Sequence, residues 1–347
     1  MATIKDVAKH AGVAVSTVSY ALNGNSKISK ATRSKVIEAA KYLNYKKNGF
    51  ASDLKKQSTY IIALILSDMS GPYYSEIIQG VQDTTNEHGY DLIACNSFVG
   101  SPNNKESTGI KFLKEQRVDG AIVMSHLIPD EVLIDAAQEN FPIVVLNRNI
   151  ESDHLINISV DNIQGGFNAT KYLIEQGHRD IAFVGGPSDT RDNQDRITGF
   201  RKALEMHGVP YQPKWQFTGQ FNRTSGYRLT KILLAQQDWP TAIFYGNDEM
   251  AVGGLKAFEE KNIRVPDEMS IIGFDGIDLA ELIRPALTTT RQPKYEIGAL
   301  CARFLFYSLH GESVAQHTNL QTELIIRQST ATFKHERSNS LTLSVSK

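Results

Sequence analysis

Apolar residues along this chain recur with two rhythms, and the change falls near Tyr60. Before it the spacing is helical. Thr3 followed by Asp6 has the form of a capping box, and Ile4, Val7, Ala8 and Ala11 then share one face. Gly12 supplies the turn. A second short helix over 15–22 puts Val18, Ala21 and Leu22 inward and leaves Val15, Ser16, Ser19 and Tyr20 outward, with Asn23-Gly24-Asn25 ending it. Ser29 caps a third helix over 30–44, with Val36, Ala39, Ala40 and Leu43 as its stripe. Beyond Tyr60, short apolar runs at 60–66, 91–95, 120–124, 143–146, 181–184, 241–245 and 270–274 read as strands. Amphipathic helices are expected between them at 75–88, 105–114, 164–176, 196–207, 224–234 and 250–260. That alternation predicts an α/β body with parallel sheets. Residues 59–330 exceed the usual size of one core, so two similar lobes are expected, with a ligand cleft beyond the strand C-termini.

Charge separates the same two regions. Residues 1–58 hold eleven Lys and Arg against three Asp and Glu, a balance of +8 in a chain of net charge −1, so the other 289 residues carry −9. A compact basic module suits a polyanion, since each cation near a phosphate releases condensed counterions. Three short helices with a glycine turn between the first two form either a generic bundle for protein contacts or a helix-turn-helix whose second helix enters the major groove.

The stretches Thr3-Ile4-Lys5-Asp6-Val7-Ala8, Gly12-Val13, Thr17-Val18-Ser19 and Leu22-Asn23-Gly24 resemble the DNA-binding signature of the lactose-repressor (LacI) family. The resemblance continues through Val160-Asp161-Asn162, Gly177-His178-Arg179, Arg196 with Gly199-Phe200, Gly246-Asn247-Asp248, Val265-Pro266, Ile272-Gly273-Phe274-Asp275 and Pro285-Ala286-Leu287-Thr288-Thr289. It implies a helix-turn-helix domain (1–46), a hinge helix or linker (47–58), a two-lobe sensor of the periplasmic-binding-protein type (59–330) and a polar tail (331–347). It also implies that Val15, Ser16 and Tyr20 read base edges, that Thr3, Thr17, Ser19 and Asn23 contact phosphates, and that Leu54 wedges into the minor groove. The chain departs from the family pattern at Ala14, where Ser is usual, and in the hinge, where Lys47 replaces Pro and Ser52 replaces Arg. Loss of a capping Ser weakens a helix start by about 1 kcal/mol.

Strand ends nominate the effector residues. Asp275 and Asn247 each end a strand, Asn147 follows another, Arg196 is expected to start a helix, and Tyr73, Tyr74 and Phe221 offer aromatic faces. Carboxylate, amide and guanidinium groups beside aromatic rings suit a polyhydroxyl ligand, because each hydroxyl both donates and accepts. Tyr73 and Phe221 have an alternative role as core, and Asp161 and Asp248 as helix caps. The purine-sensing branch of the family carries a bulky aromatic where this chain has Asn147, which favours a sugar or sugar phosphate. A purine stacked on Tyr73 and Tyr74 is the alternative, and a phosphorylated carrier protein docking near Arg303 is another.

Cys95 and Cys301 have neither CxxC nor His spacing, and no GxGxxG, P-loop or GxSxG occurs, so no cofactor, metal or catalytic residue is expected. No signal-peptide or membrane-spanning run is read, which places the chain in the cytoplasm. The tail lacks leucine heptads, so a homodimer on a palindromic operator is expected rather than a tetramer. The sequence therefore predicts a sequence-specific DNA-binding repressor of carbohydrate-utilisation genes, controlled by a sugar-like effector.

Overall fold

The computed structural model describes residues 2–22, 27–45, 58–69, 71–97 and 106–333. The chain divides after Thr59 into two compact units. In the first, α1 (Ile4–Ala11), α2 (Val15–Leu22) and α3 (Lys30–Tyr42) enclose Val7, Ala8, Ala11, Val18, Ala21, Val36, Ala39 and Ala40. The capping box is complete: Thr3 Oγ1 accepts from the Asp6 amide and Asp6 Oδ2 accepts from the Thr3 amide at 2.8 Å. Gly12 takes φ +63 and closes α1, and Ser29 Oγ caps α3 through the Thr32 amide. α3 stops at Tyr42 rather than continuing to Asn44, because Asn44 turns left-handed (φ 48) and the Tyr45 amide donates back to the Ala40 carbonyl.

The second unit carries two six-stranded sheets. The N lobe begins with β1 (Ile61–Leu66), α4 (Tyr73–Glu87), β2 (Asp91–Asn96), α5 (Thr108–Glu115), β3 (Gly120–Met124), α6 (Asp130–Ala136), β4 (Ile143–Leu146) and β5 (Leu155–Val160). The C lobe follows with α7 (Asn162–Glu175), β6 (Ile181–Gly185), α8 (Arg191–Met206), β7 (Gln216–Thr218), α9 (Arg223–Leu234), β8 (Ala242–Tyr245), α10 (Asp248–Glu260), β9 (Ser270–Asp275), α11 (Leu279–Leu282) and β10 (Thr288–Arg291). The chain then returns to the N lobe with α12 (Lys294–Leu309) and β11 (His317–Leu320), and ends in the C lobe with β12 (Glu323–Ile325). Strand order is β11-β5-β4-β3-β1-β2 in one sheet and β12-β10-β9-β8-β6-β7 in the other; every pairing is parallel except β10 with β12. The central strands are buried on both faces, as their unbroken apolar runs require.

Several boundaries differ from the sequence reading. α5 starts at Thr108 behind the Ser107 cap, not at 105, and α8 starts five residues before Arg196. Strands β5, β7, β10, β11 and β12 were not predicted: β10 is a run of buried threonines, and β11 and β12 are short, polar sheet edges.

Three helix pairs, α4 with α12, α7 with α8 and α9 with α10, cross at reciprocal glycines. A Cβ on Gly80 would strike the Tyr295 carbonyl and one on Gly298 the Ile77 carbonyl. Gly166 and Gly199 meet the Arg196 and Ile163 carbonyls in the same way, and Gly226 and Gly253 meet those of Met250 and Arg223. Each glycine thus faces the residue three positions before its partner. A glycine inside a helix costs about 1 kcal/mol relative to Ala, and here close backbone approach offsets it.

Candidate functional site

The first candidate surface is α2. Val15 and Tyr20 are 42% and 49% exposed, Ser16 is exposed, and Thr17 and Ser19 are half-buried beside the buried Val18. Both side chains are therefore free of the helical core on the outward face of α2. Thr3 is exposed, but its hydroxyl also donates to Asp6 Oδ2 at 2.8 Å, so it holds α1 together whatever else it touches. Ala14 precedes α2 without a side-chain acceptor, as its methyl dictates. Asn23 and Leu54, with the hinge at 47–57, lie outside the described residues.

The second candidate is a cavity of about 590 Å³ between the lobes of the sensor unit, and all seven nominated residues, Tyr73, Tyr74, Asn147, Arg196, Phe221, Asn247 and Asp275, line it. They arrive on strand ends and helix starts. Asp275 ends β9, Asn147 follows β4, Asn247 lies between β8 and α10, and Tyr73 opens α4. Three of the seven non-glycine residues with positive φ among the described residues are here: Asn147 (53°), Phe221 (52°) and Asp275 (113°). Such backbone costs on the order of 1–3 kcal/mol per residue and clusters where geometry serves a ligand.

The C-lobe wall is held by bonds among its own residues. Arg196 is 3% exposed; its Nε donates to Asn162 Oδ1 at 2.8 Å, its Nη1 donates to the Gly246 carbonyl at 2.6 Å, and its guanidinium lies 3.8 Å from the centre of the Phe274 ring. Asp275 Oδ1 stands 3.6 Å from Arg196 Nη1 and accepts from Gln292 Nε2 at 2.8 Å. Burial pushes the Asp275 carboxyl up to about 6, outweighing the attraction of Arg196 and Lys294. Asn247 caps α10 through the Met250 amide and donates to the Phe221 carbonyl, so its amide is largely committed to holding the wall.

Asp248 is neither the cap nor a cleft residue. It is sealed behind Asn247, accepts from the Ile277 amide at 2.9 Å and Thr289 Oγ1 at 2.6 Å, and burial with the nearby Asp275 pushes it up to about 8. Asp161 does act as a cap, accepting from the Gln164 amide. Tyr73 and Phe221 face the cleft rather than serving only as core.

The N-lobe wall is looser. Tyr73 and Tyr74 meet edge to face at 5.1 Å, and Tyr73 Oη donates to Gln292 Oε1 at 3.1 Å. Burial raises both phenols, so they stay protonated donors at any physiological pH. Asn147 Oδ1 accepts from the Val160 amide, and its side chain also bonds Asp192 across the cleft.

Sequence reasoning missed Asp192, Arg148, His126 and Asp189. Asp192 stands four residues before Arg196 on α8 and shares its face, a relation hidden when the helix is read as starting at Arg196. Its carboxyl is raised by burial and lowered by Arg196. Arg148 bonds the Ser125 and Ile128 carbonyls and Asp130. His126 and Asp189 sit on loops that no periodicity marks. Among the described residues, no cluster of His, Cys, Asp and Glu could hold a metal ion, and no helix is long and apolar enough to cross a membrane.

Residues 3–48 match the family described as bacterial regulatory proteins, lacI family, and residues 170–330 match the periplasmic binding protein-like domain. The HTH-type transcriptional repressor PurR of Proteus mirabilis (strain HI4320) is 37% identical over 334 residues, spanning 95% of this chain and 97% of that protein. A transcriptional regulator CelR–cellobiose complex aligns with a TM-score of 0.71 at 30% identity, covering 95% of this chain and all of the other. A lac repressor dimer bound to operator and the anti-inducer ONPF aligns with a TM-score of 0.77 at 28% identity, covering 95% and 99%.

Proposed function

The chain belongs to the LacI family and is a DNA-binding transcriptional repressor, and from that premise we propose that a neutral polyhydroxyl sugar in the interlobe cavity controls its affinity for a palindromic operator. One observation carries the choice of ligand. Five carboxylates, Asp68, Asp189, Asp192, Glu249 and Asp275, line the cavity against three arginines, with Glu249 already paired to Arg223. Arg148 is tied to Asp130, Arg191 to Asp195 and Arg196 to backbone and Asn162. Carboxylates only accept hydrogen bonds, so the fitting ligand is rich in donors, as a sugar is, and a phosphate would meet repulsion. This narrows the expectation of a sugar or sugar phosphate to the neutral form. Tyr73, Tyr74 and Phe221 supply faces for the apolar patches of the ring.

The relatives named PurR support a second reading, in which a purine stacks on Tyr73 or Tyr74. Asn147 weighs against it, because its short amide is spent on Val160 and Asp192 and offers no stacking surface.

The repressor acts in the cytoplasm as a dimer that sets two α2 helices in successive major grooves, with Val15, Ser16 and Tyr20 on base edges, Thr3, Thr17, Ser19 and Asn23 at phosphates, and Leu54 of the hinge as a minor-groove wedge. Ligand closure shifts the balance between sensor states that space the hinges differently. Carbohydrate-utilisation genes are the matching targets.

A thermal-shift series with neutral pentoses, hexoses and disaccharides, their phosphates and purines tests the ligand. A rise of melting temperature with a neutral sugar alone is expected; a shift with purines alone sinks the sugar reading. In parallel, Tyr20→Ala is expected to weaken binding to a selected operator by about tenfold or more, at 1–3 kcal/mol for a base contact. Unchanged affinity would remove Tyr20 from the interface.

A further inference from the structure

The crossover from β10 to α12 is Gln292-Pro293 running into Lys294, and both polar side chains are almost completely buried, at 1% and 2% exposure. Each joins the same two elements. Gln292 donates to Asp275 Oδ1 and accepts from Tyr73 Oη. Lys294 Nζ donates to the Asp275 carbonyl at 3.1 Å and the Gly276 carbonyl at 2.7 Å, and forms an ion pair with Glu76 Oε1 at 3.1 Å. Tyr73 and Glu76 are three residues apart on the first turn of α4, so both links land on one helical face. The carbonyls that Lys294 holds belong to the left-handed turn at the end of β9, where Asp275 has φ 113 and Gly276 φ 68.

We propose that Lys294 is a positioning residue that joins the C-lobe carboxylate turn at Asp275 and Gly276 to the N-lobe helix α4 and thereby sets the angle between the lobes. A buried ammonium is held only where acceptors surround it, and these acceptors come from both lobes. A displacement of Asp275 moves two of its three partners and pulls on the third. Four residues beyond Lys294, Gly298 crosses α4 at the level of Gly80, with Glu76 one turn before it, so the ion pair closes the cleft end of a helix crossing that already fixes the two axes. Any helix shift there is therefore carried along α4 as a rigid piece, together with Tyr73 and Tyr74. The effect of this link on operator affinity rests on the cavity being the effector site, but the link itself does not.

The test reads lobe separation directly in the full chain without ligand. Ile134→Cys on α6 and Met206→Cys on α8 place spin labels at exposed positions of the two lobes, and the native thiols Cys95 and Cys301 are buried. Double electron–electron resonance is recorded for this background and after adding Glu76→Gln or Lys294→Met, each mixed with a large excess of unlabelled chain so that a dimer carries at most one labelled protomer. Glu76 is half exposed, so Glu76→Gln leaves the fold intact and decides the matter if Lys294→Met does not accumulate. A single narrow distance in the background, displaced or broadened in each variant well below its melting temperature, is the expected result. A distribution unchanged by Glu76→Gln overturns the proposal, even if Lys294→Met lowers the melting temperature, because the lysine would then be only a local prop. Failure of the sugar screen would leave this measurement unaffected, so the two readings fall separately.

Discussion

The two walls of the cavity are built to different standards of rigidity. On the C-lobe side Arg196, Asn247 and Asp275 are all at most 5% exposed and bonded to backbone or to neighbouring side chains. On the N-lobe side Tyr73, Tyr74 and Arg148 are only half-buried. The C lobe has already met the desolvation cost of its charges during folding, so it presents fixed acceptors. The N lobe presents half-buried rings with more room to adjust. A ligand read mainly by a preorganised wall and clasped by an adaptable one loses less affinity to ordering.

Replacing the central cation of each wall is the strongest test of that contrast. Arg196→Met strands Asp275 and Asn162 in the interior and is expected to cost about 3–5 kcal/mol in chemical denaturation, the toll of breaking a buried charge pair. Arg148→Met, whose partner Asp130 is half exposed, is expected to cost only about 1–2 kcal/mol. Equal losses would erase the distinction. The glycine crossings should not follow it. Gly199→Ala in the C lobe and Gly298→Ala in the N lobe each drive a methyl into a facing carbonyl, and both are expected to lose about 1–3 kcal/mol. A large disparity would mean that only one crossing is tight.

The smallest effect concerns protons. A carboxyl whose folded pKa lies above its unfolded value binds its proton more tightly in the folded state. Its contribution is complete below the unfolded value and is lost as pH rises through the folded one. Asp248, raised to about 8, and Asp275, raised to about 6, should therefore make the sensor less stable as pH climbs from about 4 to 8. Asp248→Asn mimics the protonated side chain. It should match the wild type below about pH 4, where the unfolded carboxyl is also protonated, and exceed it increasingly up to pH 9, by on the order of 1 kcal/mol or more. A variant that keeps the wild-type slope would show that Asp248 is ionised throughout.

Asp248 also shows where local reading stops. As a residue ahead of an apolar helical stripe it has the chemistry of a cap, yet Asn247 takes that role and Asp248 turns inward to Thr289, forty-one residues away. Arg196 and Asp275 were legible as a site because charges at strand ends and helix starts need partners. Their actual partners, Asn162, the Gly246 carbonyl and Gln292, were not. Propensity alone makes a helix glycine a weak point; only the packing of α4 on α12, α7 on α8 and α9 on α10 reveals these as contact points.

By itself the sequence determined what depends on neighbours along the chain. That covers the capping box at Thr3 and Asp6, the outward face of α2, the apolar strands, the alternation that makes two α/β lobes, and the motifs that mark the family. Tertiary structure alone decided what depends on residues brought together from far apart. It added Asp192 to the cavity, spent the amides of Asn147 and Asn247 on the walls, raised the buried carboxyls and placed Lys294 between the lobes. Helix and strand periodicity is set by backbone geometry within a few residues. Burial, and with it the pairing and proton affinity of a polar group, is set by whichever distant segment excludes the water around it.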